Sequence, residues 1–418
     1  MRLLLVLAIA LGIASCTTQK AELKEGTWRG VIEMQGQKLP FNFEVTSTDA
    51  KDLAGEAGYK VYLKNAGEKL LLDEVSLVGD TVVMVLHIFD AELRAKVNGG
   101  ELTGYYIKNF EKDYRLPFHA TWGDDFRFAK ISQEASAIFT GKYSVRFTHG
   151  KDSSVSVGIF RQNGNYVEGT FLNPGGDYRY LEGNVVKDKM WLSTFDGHHA
   201  YIFSATRKDE TTITGDYWSG KSRHESWVGV ENENAALPDL ESLTFLKKGY
   251  EKLEFSFPDI QGNKISPSDD RYKNKVLILQ IFGTWCANCM DETRFLTSWY
   301  RQNKDRGVEI LGLAYESKDD FDYASGRVKK MKEKLGVDYD FVIAGTSDNT
   351  KASKTLPGLN HIMAFPTTIY IGKDGKVKRI HTGFSGPGTG IYYDQFIERF
   401  NETVNELLSE NQTSTSNK

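Results

Sequence analysis

The sequence predicts a multidomain chain: an all-β N-terminal half built of two repeated antiparallel barrel- or sandwich-like modules, then a C-terminal α/β domain with a mixed sheet. Three observations carry this. The chain has 418 residues, more than one ordinary domain holds. From Gly26 to Val230, apolar and polar residues alternate in short runs, the period of half-buried strands. From Val276 onward, continuous apolar runs alternate with helical patterns, as in βαβ-type domains. Hydrophobic residues make up 40% and charged residues 26%, a globular composition that excludes a collagen-like or largely disordered chain. The 52 basic and 56 acidic residues leave a net charge of −4, so no nucleic acid partner is expected.

The first element is a leader. Arg2 precedes an apolar run, Leu3 to Ala14, too short to span a bilayer and suited to a signal-peptide core. It ends in Ile13-Ala14-Ser15-Cys16, which resembles the lipobox of bacterial lipoproteins. The resemblance implies cleavage after residue 15 and lipidation of Cys16. Lipid chains would then supply the anchoring energy that the short run lacks. Loss of Arg2 would move the charge from −4 to −5. Thr17 in place of an aspartate favours the outer membrane, and the mature chain would face the periplasm within the cell envelope. Residues 16–25 read as a polar tether.

The β-modules follow at 26–128 and 137–232. Tyr143, Val145 and Phe147 alternate with Ser144, Arg146 and Thr148; Leu39, Phe41, Phe43 and Val45 do the same earlier. Turn signals such as Asn98-Gly99-Gly100 and Asn173-Pro174-Gly175-Gly176 separate the runs. An internal repeat is visible. Gly26-Thr27-Trp28 matches Gly141-Lys142-Tyr143, Leu102-Thr103-Gly104 matches Ile213-Thr214-Gly215, and the halves close near Trp122 and Trp227. One larger sandwich made of both halves is the other arrangement this pattern allows. His198-His199 with Asp196 suggests a metal site, but neighbouring residues of one strand face opposite ways, so no metal is expected. The aromatic density from Tyr178 to Trp227 reads as core. The modules are expected to be a spacer or partner-docking unit.

A linker, 233–254, includes Leu240 to Leu253 as a helix or an extended bridge. The α/β domain is placed at 255–408 and a disordered tail at 409–418. Strands are expected at Val276–Phe282, Val308–Ala314 and Phe341–Ala344, with a hairpin at Thr367–Ile371 and Lys376–His381. Helices are expected at Ala287 to about Lys304, Asp320–Leu335 and Tyr393–Leu408. Residues 345–363, with His361 and Met363, are expected to form a helix and a loop over the site.

The chemistry sits in Trp285-Cys286-Ala287-Asn288-Cys289. The motif lies between a buried strand and a helix start. A helix N-terminus offers free N–H groups and the positive end of the dipole, which favour a thiolate at Cys286. Cys289, one turn on, would resolve a mixed disulfide by attacking Cys286. A zinc half-site is disfavoured because no second cysteine pair exists.

Phe282-Gly283-Thr284-Trp285-Cys286-Ala287-Asn288-Cys289, then Glu292, then Phe365-Pro366-Thr367-Thr368 resembles the TlpA/ResA-type thioredoxin-like proteins of the AhpC/TSA or redoxin group. The resemblance covers about 150 residues. It implies a redox-active Cys286–Cys289 disulfide and no other cofactor. It implies that Pro366 is a cis-proline, that Glu292 tunes the thiols, and that Trp285, Phe365 and Thr367 meet the substrate. The resemblance also marks Glu316 as a candidate further tuning carboxylate. Ala287-Asn288 matches neither thioredoxin nor strong oxidants, which leaves the redox direction open.

The function expected is a membrane-anchored extracytoplasmic thiol–disulfide oxidoreductase, a protein-disulfide reductase. Its partners would be the thiols and disulfides of exported proteins and a membrane electron-donor thiol protein. The alternative is a ligand- or partner-binding lipoprotein whose redox domain is regulatory.

Overall fold

A computed structural model describes residues 21–51, 57–86, 88–130 and 134–410. The leader, Cys16 and the last eight residues lie outside that range. In the first module nine strands run as an up-and-down meander from Gly26–Met34 to Arg115–Trp122. The first and last strands pair, Ile32 against Phe118. Among the described residues, the order breaks between Glu68–Leu72 and Val75–Val78. The second module, Gly141–His149 to Arg223–Glu231, closes fully: its first strand pairs with both its second and its last, and Tyr166–Asn173 bridges Asp152–Asn163 to Leu181–Val186. Closure removes the open strand edges that invite aggregation.

The repeated Thr-Gly has one physical cause in both barrels. A Cβ on Gly104 would lie 1.9 Å from the Arg94 carbonyl oxygen, and one on Gly215 would lie 1.7 Å from that of Ser204. Each glycine pairs with an alanine on one side, Ala95 or Ala205, and with an aromatic on the other, Phe118 or Trp227. Phe118 is therefore the counterpart of Trp227. Trp122, matched to it by eye in the sequence, stands at a strand end and is 44% exposed.

Two boundaries need correction, at residues 21–25 and at Ser409, and of the two readings of Leu240–Leu253 the extended bridge is the one found. Residues 21–25 are no free tether: Leu23 is buried, and the Trp28 indole donates to the Lys24 carbonyl. Leu240–Leu253 contains no helix. It runs along the α/β domain, with Leu246 bridged to Leu359, Val377 N–H donating to Glu251, and Leu253 buried. Apolar side chains in an otherwise polar stretch drive this docking. Ser409, assigned to the tail, is the last residue of a helix.

The C-terminal sheet has the order Asp340–Thr346, Val308–Glu316, Val276–Phe282, Thr367–Ile371, Val377–Thr382. The first three strands are parallel; the last two are antiparallel. All seven residues of Val276–Phe282 are buried, which explains why six of them are apolar. Val276, Ile278 and Phe282 share a core with α1 (Ala287–Asn303), α2 (Phe321–Leu335) and α4 (Ile391–Ser409). Leu277, Leu279 and Ile281 share another with α3 (Asn349–Thr355).

The barrels are not held apart from this domain. Phe41 and Phe195 meet at 4.6 Å between the barrels. Arg327 and Tyr323 of α2 donate to Ile88 O and Asp90 of the first barrel. The barrels therefore pack against each other and against the α/β domain.

Candidate functional site

Cys286 is the N-cap of α1 and carries extended backbone angles, φ −92° and ψ 111°. Its Sγ accepts the Cys289 N–H at 3.1 Å, the contact through which a helix start stabilises negative charge. The two cysteines are joined by a disulfide, with Cα atoms 5.2 Å apart. Cys286 is 6% exposed and Cys289 fully buried. This asymmetry makes Cys286 the sulfur an outside group reaches first.

Across from the disulfide, the Phe365–Pro366 peptide is cis. The Phe365 carbonyl lies 3.5 Å from Cys286 Sγ. Proline offers no N–H here, so this backbone presents acceptors to the sulfur. Trp285 packs edge-on against Phe365 at 5.5 Å, and its indole N–H donates to Tyr315 O at 2.8 Å. Thr367 is fully buried and its hydroxyl donates back to Ala364 O. Its side chain therefore lies away from any incoming chain, unlike those of Trp285 and Phe365.

Glu292 lies one turn beyond Cys289 and is fully buried. It accepts from Gln280 Nε2 at 2.8 Å and from Thr368 Oγ1 at 2.6 Å. Burial pushes its carboxyl up to about 7, with those two hydrogen bonds opposing. Gln280 also donates to Cys289 O at 3.4 Å, so one amide touches both the carboxylate and the dithiol turn. Gln280 was overlooked in the sequence, yet a lone amide inside an apolar strand is a signal: buried polar groups need partners. Glu316 sits at the end of its strand, buried, accepting from Thr284 N and Thr284 Oγ1, both at 2.8 Å. Burial raises its carboxyl, with Thr284 opposing. These two hydrogen bonds hold the turn that precedes the dithiol. His361 is exposed.

Two loops of the second barrel also reach the site. Asn288, between the cysteines, donates to Asp177 O at 3.0 Å. Arg179 donates to Ala287 O at 3.2 Å and pairs with Asp291 on α1, with Glu68 of the first barrel, and with Asp196 at 3.2 Å. Burial opposes the Arg179 charge, but the three acids hold it protonated. His198 lies 6.1 Å from Trp285, ring to ring. His198 and His199 occupy a loop rather than a strand: Asp196 Oδ1 accepts both their N–H groups, and Gly197 has φ +95°. His199 Nδ1 then pairs with Asp196 at 2.9 Å. Sequence spacing cannot reveal this, because an Asx turn cancels the alternation assumed for a strand.

A Cys-x-x-Cys at the helix start after the central strand, facing a cis-proline across a mixed sheet, defines a thioredoxin-like domain. Residues 236–394 match the Redoxin family, so the domain begins earlier than residue 255. The chain is 33% identical over 129 residues to the thiol-disulfide oxidoreductase ResA of Bacillus thuringiensis strain Al Hakam, covering 31% of this chain and 66% of that protein. It is 29% identical over 157 residues to ResA of Bacillus subtilis strain 168, covering 37% and 77%. The chain thus spans just under two thirds of the length of the first of these relatives. Among solved structures, a thiol:disulfide interchange protein of the thioredoxin family from Chlorobium tepidum aligns at TM-score 0.29 and 20% identity, covering 39% of this chain and 98% of that one. The thioredoxin domain of a thiol-disulfide oxidoreductase from Bacteroides vulgatus aligns at TM-score 0.28 and 22% identity, covering 37% and 99%.

Proposed function

We propose that this protein is a thiol–disulfide oxidoreductase that reduces disulfides in exported proteins, anchored to the membrane through Cys16 on the periplasmic side of the outer membrane. The observation that carries the reading is the Cys286–Cys289 pair at the α1 N-terminus, with Cys286 Sγ beside the carbonyl before the cis-proline. The names of the ResA relatives support the same chemistry.

In the reducing direction the Cys286 thiolate attacks one sulfur of a substrate disulfide. A mixed disulfide forms and one substrate thiolate leaves. Cys289 then loses its proton and attacks Cys286 Sγ, closing the Cys286–Cys289 disulfide and releasing the second thiolate. Glu292, with a carboxyl near 7, is suited to take or return that proton. Phe365 offers its backbone to an extended substrate segment. A thiol electron donor at the membrane restores the dithiol. No cofactor beyond the disulfide enters these steps.

The test is the reduction potential of the Cys286–Cys289 couple. A value near the roughly −270 mV of thioredoxin supports a reductase. A value near the roughly −120 mV of a strong oxidase reverses the direction. Absence of a reversible couple defeats the reading. The leader is tested separately: Cys16→Ser should release the chain from the membrane fraction.

A further inference from the structure

The dithiol is bracketed by the second barrel. On one side, the loop from Asn173 to Arg179 lies on the site. A Cβ on Gly176 (φ +140°) would come within 2.5 Å of the Asn288 amide. One on Gly175 would come within 3.5 Å of Ala364 Cβ. One on Gly383 would come within 2.7 Å of Pro174 O, and Gly383 itself donates to Pro366 O at 2.9 Å. Asp177 Oδ2 accepts the Gly386 N–H at 2.6 Å. The loop therefore touches both the residues between the cysteines and the segments flanking the cis-proline. On the other side, His198 packs on Trp285, the residue before Cys286. Arg179 and Asp196 tie these two loops together by an ion pair, and both partners are buried. Near the dithiol, Met363 is exposed and Phe365 and Trp285 are partly exposed, all three apolar.

We propose that these two barrel loops determine substrate specificity by form. They admit a disulfide carried by a small molecule or an extended segment and exclude one set in a compact folded surface. The proposal rests on the oxidoreductase reading above. The physical reason is reach. Thiolate attack needs the incoming sulfur in line with Cys286 Sγ, which is 6% exposed, and a folded surface cannot enter between two fixed loops. The contacts are tight because Gly175 and Gly176 carry no side chains, so the loop lies at backbone distance from the site.

The experiment uses the purified full chain, reduced and then desalted, in single turnover. The reduced dithiol supplies both electrons, and oxidation of Cys286–Cys289 is followed by acid quench. Oxidised glutathione and folded insulin are the probes, with wild type and Arg179→Ala compared. The proposal expects wild type to react with glutathione disulfide and scarcely with insulin. It expects Arg179→Ala to raise the ratio of the insulin rate to the glutathione rate about tenfold. An unchanged ratio of the two rates overturns it. So does a parallel fall of both rates, which would make the loop a positioning element. If wild type reduces neither probe although its couple titrates reversibly, the loops close the site altogether and the specificity proposal is wrong. If no couple titrates, the oxidoreductase reading itself has failed.

Should Arg179→Ala not fold, wild type alone decides. Alkylation of reduced Cys286, followed by peptide mapping, is compared for iodoacetamide and for a maleimide carrying a poly(ethylene glycol) chain of several kilodaltons. Selective slowing of the bulky reagent, relative to its rate on a free cysteine peptide, supports the proposal. Equal relative rates overturn it.

Discussion

Glu292 shows how one buried carboxyl connects the site to stability. Its pKa is raised in the fold, to about 7 from the usual 4.5. A raised carboxyl contributes stability below the unfolded value and loses it as pH climbs through the folded one. Wild type should therefore weaken between pH 5 and pH 8 by up to about 3 kcal/mol from this group. Glu292→Gln should lose that component of the slope, measured by urea unfolding at both pH values. Glu316 does different work. Its two oxygens satisfy Thr284 N and Oγ1 in a dry turn. Glu316→Ala leaves a buried N–H unpaired, at a cost of about 1–3 kcal/mol. Thermal unfolding should show that loss. Both residues were legible in the sequence by position. Their partners Gln280 and Thr284 were not, because a hydrogen bond joining residues 12 or 32 apart leaves no local pattern.

Among the elements, the strongest sequence signals were those with a local cause. The buried run Val276–Phe282, the helix start at Ala287 and the repeated Thr-Gly all came through. Gly104 and Gly215 allow a neighbouring strand to approach closer than any Cβ permits. Gly104→Ala and Gly215→Ala should each destabilise their barrel by about 3 kcal/mol or more, read as an earlier unfolding step in urea. At the head of α1, the burial difference between the two sulfurs sets their order of reaction. With the protein reduced, iodoacetamide should modify Cys286 well before Cys289, as peptide mapping would show. Equal labelling would contradict the assignment of Cys286 as attacker. The His198–His199 segment misled because it interrupts an alternating region. An Asp196 turn and Gly197 bend the chain there, and the expected strand ends at Phe195.

For the molecule as a unit, Arg179 is the junction. It joins the first barrel at Glu68, the second at Asp196 and α1 at Asp291, and its side chain is 4% exposed. Removing one partner of a buried ionic group leaves uncompensated charge, at about 3–5 kcal/mol. Arg179→Met should lower the melting temperature and separate barrel unfolding from that of the α/β domain in calorimetry. A single cooperative transition at the wild-type temperature would show that the junction is held by apolar packing instead. The surface pairs between α2 and the first barrel, such as Lys334 with Asp73 at 2.8 Å, are partly exposed and contribute little by comparison.

The sequence alone determined the periodic content of this protein: two β-modules, an α/β domain, and a dithiol at a helix start opposite a proline. Those features depend on neighbours within a few residues or on a short motif, so they survive in one dimension. Tertiary structure alone decided that the second barrel closes on itself and that its loops lie against the dithiol. It also placed a buried arginine and three acids from three parts of the chain in one cluster. Two of its three contacts join residues more than a hundred positions apart. Their energy comes from burial and charge pairing in space, which no spacing along the chain records.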